Sequence, residues 1–259
     1  MSERTLRLAG GDVAYPAAAL CVGVALWWGL AVLAEIPSFL LPTPDAVLAR
    51  LAGNPELYLV NALHTLEKVV YGGAIGIAAG IVLAVFVASV PWFRRAVYPY
   101  LVTVRVLPKL AIAPLLLIYL GTGTATAIVF VALITFFPLV LNTAAGLDRT
   151  PSTHHDLLRS VRAGPIARLV YVDVPYAIPD VFAGLKQSVT LAVVGAVVAE
   201  WVVADSGLGF LILMGSENVR PDVMLAALAV LLVVGLALYG LVVLVQRRVH
   251  ARLGLEDVA

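Results

Sequence analysis

Four ionisable side chains lie within or at the ends of long apolar segments, where a charge is costly and often functional. Arg105 and Lys109 are four residues apart and would share one face of a helix, while Lys186 and Glu200 lie in a later apolar segment. These residues are candidates to line a path for an anionic solute. Alternatively, the three basic side chains extend to the lipid headgroups, and Glu200 is a structural acid held by hydrogen bonds.

Motifs for catalysis and for nucleotide binding are absent from the sequence. It contains no GxxxxGK[ST], HExxH, GxSxG or CxxC pattern, and its one cysteine, Cys21, excludes an intramolecular disulfide. His154 and His155 are adjacent, and neighbours on a helix point about 100° apart, so we interpret them as a solvated pair rather than metal ligands. We expect no catalytic residue, metal site or cofactor in this chain.

Hydrophobic residues make up 62% of the 259-residue sequence and charged residues 13%, whereas soluble domains average about 45–50% and 25%. Too few polar side chains remain to cover a soluble fold of this size. We therefore predict an all-α polytopic membrane protein with one transmembrane domain over residues 1–259. A span needs about 20 mostly apolar residues, and six segments qualify: 15–34, 69–90, 100–120, 125–147, 181–203 and 223–245.

The basic residues indicate how the chain is oriented. With the N-terminus in the cytoplasm, eleven Lys or Arg residues fall in cytoplasmic segments, while only Arg50 and Arg220 fall in outer ones. This bias predicts that both termini are cytoplasmic. The outer segment 35–65 contains a short amphipathic stretch, 46–51, that we expect to lie along the outer surface. The net charge of +1 gives no bulk attraction to nucleic acid.

The inner segment 148–180 is too long for a simple connection, and it carries helix signals. Thr153 and Asp156 have the spacing of a capping box, and Gly164 followed by Pro165 indicates a turn. We expect two short helices at an angle to each other, presented to the cytoplasm.

The same segment has the spacing of a family motif that reads EAA, three residues, Gly, nine residues and I-x-L-P. Arg162 occupies the glycine position, and Gly164, two residues later, is an alternative source of the turn. The segment therefore resembles the EAA loop of binding-protein-dependent ABC importer permeases. The matching positions are filled by Asp156, Leu157, Leu158, Val172, Val174 and Pro175.

Other stretches look like the nitrate/sulfonate/taurine-type branch of that family. They are Leu41-Pro42-x-Pro44, residues 105–115, and residues 195–200 followed by Gly207-Leu208-Gly209. The resemblance implies a type I permease fold with six transmembrane helices in the plasma (inner) membrane of a bacterium. It also implies a transport subunit with no enzymatic activity of its own, and it leaves the solute open.

The resemblance further implies three protein partners. In such importers the inner loop, here residues 151–175, is a coupling helix in a cleft of a cytoplasmic ATPase dimer that uses ATP and Mg²⁺. A second permease copy, which we expect to be identical, would enclose a path lined by the third to fifth spans, and a periplasmic or lipid-anchored binding protein would dock outside. The coupling residues on this interpretation are Asp156, Leu157, Leu158, Arg159, Arg162, Ala163, Gly164 and Pro175.

An ion- or proton-coupled secondary transporter is the main alternative function. It would need ionisable groups near the middle of the membrane and usually an inverted repeat. The acids of the membrane region, Glu67 and Glu200, both lie toward span ends, and no internal repeat is evident. A membrane-bound enzyme is a third class, disfavoured by the missing catalytic motifs.

Overall fold

The computed structural model describes residues 4–104, 106, 108–203 and 205–254, and the side chains of these residues from Ala14 onward, except at position 203. The chain forms two compact units. One comprises residues 1–59 and 211–229, and the other comprises residues 60–210 and 230–259. The assignment of residues 1–259 to a single domain stays a prediction.

The first unit contains the N-terminal span and the outer segment. Helix α1 (Arg4–Leu33) includes an apolar span from Ala14 to Leu33, and helix α2 (Pro44–Gly53) follows it. Pro44 lies at the start of α2, where its fixed φ and missing N–H suit a helix N-terminus. The amphipathic stretch predicted at 46–51 is therefore part of a ten-residue helix.

Helix α3 (Pro55–Ser89) begins much earlier than the predicted span, so the outer segment is shorter than residues 35–65. The early part of α3 carries Asn61, Thr65 and Lys68, which an apolar window leaves out. These side chains are buried, at most 9% exposed. Paired polar groups can extend a helix well beyond its apolar window.

Helix α6 (Thr124–Leu147) is heavily buried. It packs through small residues against residues 60–89 of α3, which belong to the same unit. A Cβ atom on Gly72 would lie 2.6 Å from the Val131 Cβ, and one on Gly76 would overlap the Ala132 carbonyl oxygen and the Thr135 hydroxyl. The spacing of small residues in this span therefore marks a close helix–helix contact within the protomer.

The third span, predicted as continuous over 100–120, is broken. Helix α4 (Pro91–Val104) and the segment Lys109–Leu120 are bent by 87° relative to each other. That segment consists of a short 3-10 turn, Lys109–Ala111, and helix α5 (Ile112–Leu120). Pro108 explains why the helix does not continue past Val104, because proline lacks an N–H and its ring clashes with the carbonyl four residues earlier in a helix. With the bent pair counted as one span, six helical segments in the described chain could cross a membrane; five are unbroken.

The inner loop forms one separate helix rather than two. Helix α7 (Ser152–Ser160) is followed by a single turn, α8 (Pro165–Arg168), and then a π-helical turn (Leu169–Asp173) runs directly into α9 (Val174–Val203). The second predicted helix is thus the start of a long helix. This helix contains prolines at positions 175 and 179, which have no backbone N–H to donate. The chain stays helical there, because membrane helices tolerate proline.

The predicted capping box does not form. Helix α7 begins at Ser152 after Pro151, whose carbonyl accepts a hydrogen bond from the His154 N–H at 3.1 Å. Thr153 therefore lies inside the first turn and makes no cap, and Asp156 pairs with Arg159 at 3.3 Å instead.

Two more helices complete the described chain. Helix α10 (Leu208–Glu217) is short and apolar, and helix α11 (Pro221–Leu253) is long enough to span a membrane. The cytoplasmic location of both termini stays a prediction from charge.

Candidate functional site

Helix α7 is held in place by its two histidines. The His155 Nε2 lies 2.9 Å from the Asp173 Oδ1, and the Arg168 Nε donates to the other oxygen of Asp173 at 3.3 Å. The Tyr176 hydroxyl lies 3.2 Å from the His154 Nε2. The interpretation of this pair as solvated is wrong, since one ring contacts the residue just before α9 and the other contacts a residue in its first turn.

The side of α7 away from His155 exposes apolar side chains at what we predict to be the cytoplasmic surface. Leu157 is 63% exposed and Val161 66%, and they are four residues apart, on one face. Ile166, which follows in α8, is 77% exposed. Leu158 and Ala163 are half-buried, while Arg159, Arg162 and Gly164 are exposed. Clustered exposed apolar groups on a water-facing loop are typical of a protein interaction surface.

Arg162 adopts the backbone conformation that glycine has at the end of many helices. Its φ is 53°, its N–H bonds to the Arg159 carbonyl at 3.0 Å, and the next N–H, of Ala163, bonds to the Leu158 carbonyl at 2.9 Å. This pair of bonds is a Schellman motif, which needs a left-handed residue at this position. Gly164 has a φ of −71°, so it does not supply the turn.

A buried ion pair connects α3 with α9. The Lys68 Nζ lies 2.9 Å from the Glu200 Oε1, and the two side chains are 1% and 0% exposed. The Thr65 hydroxyl also donates to Glu200 at 2.9 Å, and Lys68 donates to the Ser206 carbonyl at 2.7 Å. Each buried charge therefore has an opposite charge and a further hydrogen-bond partner, as buried ions require.

The same network satisfies the backbone at the start of α10. Gly207, Leu208 and Gly209 donate their N–H groups to Asn61 Oδ1, Thr65 Oγ1 and Glu200 Oε2, at 2.7 to 2.8 Å. These groups have no partner within the helix, so side chains must supply one. A Cβ atom on Gly209 would lie 2.8 Å from the Glu200 Oε2, and one on Gly207 would overlap the carboxylate. This contact therefore requires glycine at positions 207 and 209.

The four candidate path residues are not brought together. Glu200 is fully enclosed and so does not line an open path in this conformation. Lys109 lies 5.4 Å from the Phe137 ring centre, and Lys186 is half-buried on α9. Arg105 lies outside the described residues. Sequence reasoning missed Lys68 as the partner of Glu200, although two opposite charges in two spans were a signal for such a pair.

The two arginines of the predicted outer segments both approach one carboxylate, that of Asp222, in the first unit. Arg220 donates through Nε and Nη2 to Asp222 at 3.0 and 2.8 Å, and the Arg50 Nε lies 3.6 Å from the same group. The hydrogen bonds from Arg220 to Asp222 raise the pKa of this arginine above its usual value. A cavity of about 420 Å³ opens beside these three residues. The cluster keeps one positive charge in excess.

Long apolar helices packed through glycines, a polar loop with an exposed helix, and a charged network buried between spans define a helical membrane transport protein. The chain belongs to the family described as "Binding-protein-dependent transport system inner membrane component", whose pattern matches residues 76–251. It is thus a multi-pass permease of the ABC importer class, located in the bacterial inner membrane, and the family resemblance drawn from the EAA-type loop is confirmed.

Relatives of this chain are named as transport permeases. A Haemophilus influenzae protein named a probable ABC transporter permease is 35% identical, over 85% of this chain and 91% of its own. The riboflavin transport system permease RibX of Chloroflexus aurantiacus is 31% identical, over 85% and 83%. The taurine transport system permease TauC of Escherichia coli is 27% identical, over 85% and 82%.

Solved structures share the fold. A crystal structure of an amino acid ABC transporter superimposes with a TM-score of 0.63 at 19% identity, covering 78% of this chain and 98% of that one. An inward-facing structure of the methionine transporter MetNI gives 0.64 at 18% identity, with the same coverage. The all-α permease fold predicted from the sequence is confirmed.

Proposed function

We propose that this chain couples the hydrolysis of ATP by a separate cytoplasmic subunit to solute import, through helix α7 and the turn that ends it. The observation that carries the proposal is the two-sided character of α7. One side is fixed to α9 through His155 and Asp173, while the other exposes Leu157 and Val161. A force applied by a partner at the exposed side would pass directly into a membrane-spanning helix.

The chain itself hydrolyses nothing on this proposal. A nucleotide-binding loop is missing from the sequence, so ATP and Mg²⁺ belong to the partner. The enclosed position of Glu200, with Lys68 as its counter-ion, also leaves this acid unsuited to carry protons or ions across. That geometry favours an ATP-driven permease over the secondary transporter.

Two further partners complete the proposal. A second copy of this chain would form the other half of the path, because the family works with a pair of permease subunits. A binding protein would deliver a small solute at the outer face, where the arginine cluster of Arg50 and Arg220 offers an acidic group a docking point. The named solutes of the relatives, riboflavin and taurine, are both small.

Co-purification of the ATPase tests the coupling surface. Leu157→Asp combined with Val161→Asp places two charges on the exposed face of α7 and leaves His155 and Asp173 unchanged. We expect this variant to reach the membrane in normal amount and to lose the ATPase during purification. Leu253→Asp is the matched control, because Leu253 is also apolar, 49% exposed and predicted to be cytoplasmic. Retention of the ATPase by the double variant would overturn the proposal.

A further inference from the structure

Helix α9 has one face that its neighbours do not cover. The side chains of Ala183, Gln187, Thr190 and Val194 are exposed, and their spacing of four, three and four residues places them on one side of a helix. Two of the four are polar. On the opposite side of α9, Ser188 and Ala192 are buried against α6 and α3.

The depth of this face rules out contact with the headgroups. Thr190 is ten residues from both Asp180 and Glu200, which is about 15 Å along a helix and about half of a hydrocarbon core of 30 Å. Gln187 is three residues closer to the end that we predict to be cytoplasmic. The side chains of Gln and Thr are too short to extend from this depth to the membrane surface.

The exposed face of α11 provides the contrast. There the exposed side chains include Leu232, Val233 and Leu236, at 62 to 65% exposure, and all three are hydrocarbon. A lipid-facing surface has this composition. The exposed face of α9 does not fit it, because an amide at that depth needs partners.

The amide of Gln187 has few partners in the protein. Its Oε1 accepts from the Asn142 Nδ2 at 3.4 Å, and that nitrogen is shared with the Pro138 carbonyl at 2.7 Å. Within the described ranges, the Gln187 amide nitrogen donates to no protein group. An unpaired amide in hydrocarbon costs several kcal/mol. A polar partner that this chain does not itself supply must therefore reach this face.

We propose that Gln187 and Thr190 line the solute path and hydrogen-bond the solute as it passes. The proposal rests on the permease function and adds the chemistry of the contact. Gln187 offers donors and an acceptor, while the Thr190 hydroxyl donates to the Lys186 carbonyl at 3.0 Å and keeps its lone pairs free to accept. Ala183 and Val194 leave room on either side. The path therefore offers hydrogen-bonding groups at this level, with the half-buried Lys186 beside them on the same helix, which suits solutes carrying hydroxyl, amide or oxyanion groups.

Thiol labelling in the membrane tests the assignment. Cys21 is changed to Ser, and single cysteines replace Gln187, Thr190 and, as the control, Leu236. The probe is a membrane-impermeant methanethiosulfonate reagent applied to inverted vesicles of the complete permease–ATPase complex. We expect Q187C and T190C to react about tenfold or more faster than L236C, since only the thiolate reacts and it forms only where water reaches.

Two results would overturn the proposal. One is reaction of Q187C and T190C as slow as that of L236C, which would make the face lipid-exposed. The other is protection from the reagent together with a disulfide between two copies of Q187C, which would make it a copy–copy interface. ATP-driven uptake is measured on the same vesicles. Fast labelling without ATP-dependent uptake would refute the coupling proposal and leave the path assignment standing.

Discussion

At the scale of the residue, Arg162 holds a left-handed conformation in which a side chain is costly. The Schellman bonds at the end of α7 require this conformation, whatever residue is present. The spacing of the EAA-type loop placed Arg162 at the glycine position from sequence alone. The φ of 53° explains why glycine suits that position.

Arg162→Gly should therefore stabilise the loop. Removing the Cβ relieves a left-handed penalty of about 1–2 kcal/mol, less the larger entropy of glycine in the unfolded chain, which costs about 0.5–1 kcal/mol. We expect a small rise in the thermal unfolding midpoint, measured by circular dichroism in detergent. Arg162→Ala is the control, because it removes the charge and keeps the Cβ. An equal rise in both variants would show that charge, and not conformation, is responsible.

The buried ion pair of Lys68 and Glu200 should contribute strongly to stability. Glu200→Leu leaves a buried lysine charge and two other donors, the Thr65 hydroxyl and the Gly209 N–H, without this acceptor, and we expect a loss of about 3–5 kcal/mol. Lys68→Met with Glu200→Leu removes both charges and should cost clearly less than the sum of the single changes. Thermal unfolding of the four members of this cycle measures the coupling. Additive losses would contradict the importance of the ion pair.

At the scale of the element, the apolar windows predicted each of the five unbroken spans inside its helix, with two of them ending one residue beyond it. They underestimated α3 and α9, because the polar ends of these helices are paired by tertiary contacts that no local window contains. The break between α4 and α5 was missed, although Pro108 was visible in the sequence. A proline in a membrane helix is often tolerated, so its presence alone did not decide the outcome.

The contact between α3 and α6 depends on glycine. Gly76→Ala places a methyl group against the Ala132 carbonyl and Thr135, and we expect a loss of about 1–3 kcal/mol from overpacking. Gly240→Ala is the control, since nothing lies within 4 Å of its Cβ position, and it should be neutral or stabilising by up to about 1 kcal/mol. Thermal unfolding compares the two. A tolerated Gly76→Ala would show that the helices can separate at this point.

At the scale of the whole molecule, composition alone indicated a membrane protein and the inner loop indicated its class. Neither could reveal that His154 and His155 anchor α7, because their partners Asp173 and Tyr176 are about twenty residues away. The same holds for the arginine cluster, whose members Arg50 and Arg220 are far apart in the chain. Long-range partners of this kind leave no local pattern.

The outer arginine cluster should contribute to docking of the binding protein. Arg50→Glu with Arg220→Glu reverses its charge, and we expect binding to weaken and to lose part of its dependence on salt, because exposed charges are screened at about 10 Å in 0.1 M salt. Arg247→Glu, at an exposed position predicted to be cytoplasmic, is the control. Titration of the binding protein onto the complex in nanodiscs measures the effect. Unchanged affinity would place the docking surface elsewhere.

The most direct test of an ATP-driven permease coupled through α7 is uptake into proteoliposomes. The complete complex is reconstituted, and the solute extracted from its co-purified binding protein is supplied with radiolabel. We predict uptake that requires ATP and is abolished by Leu157→Asp with Val161→Asp, while an imposed proton gradient has no effect. Uptake driven by the proton gradient in the absence of ATP would contradict the account.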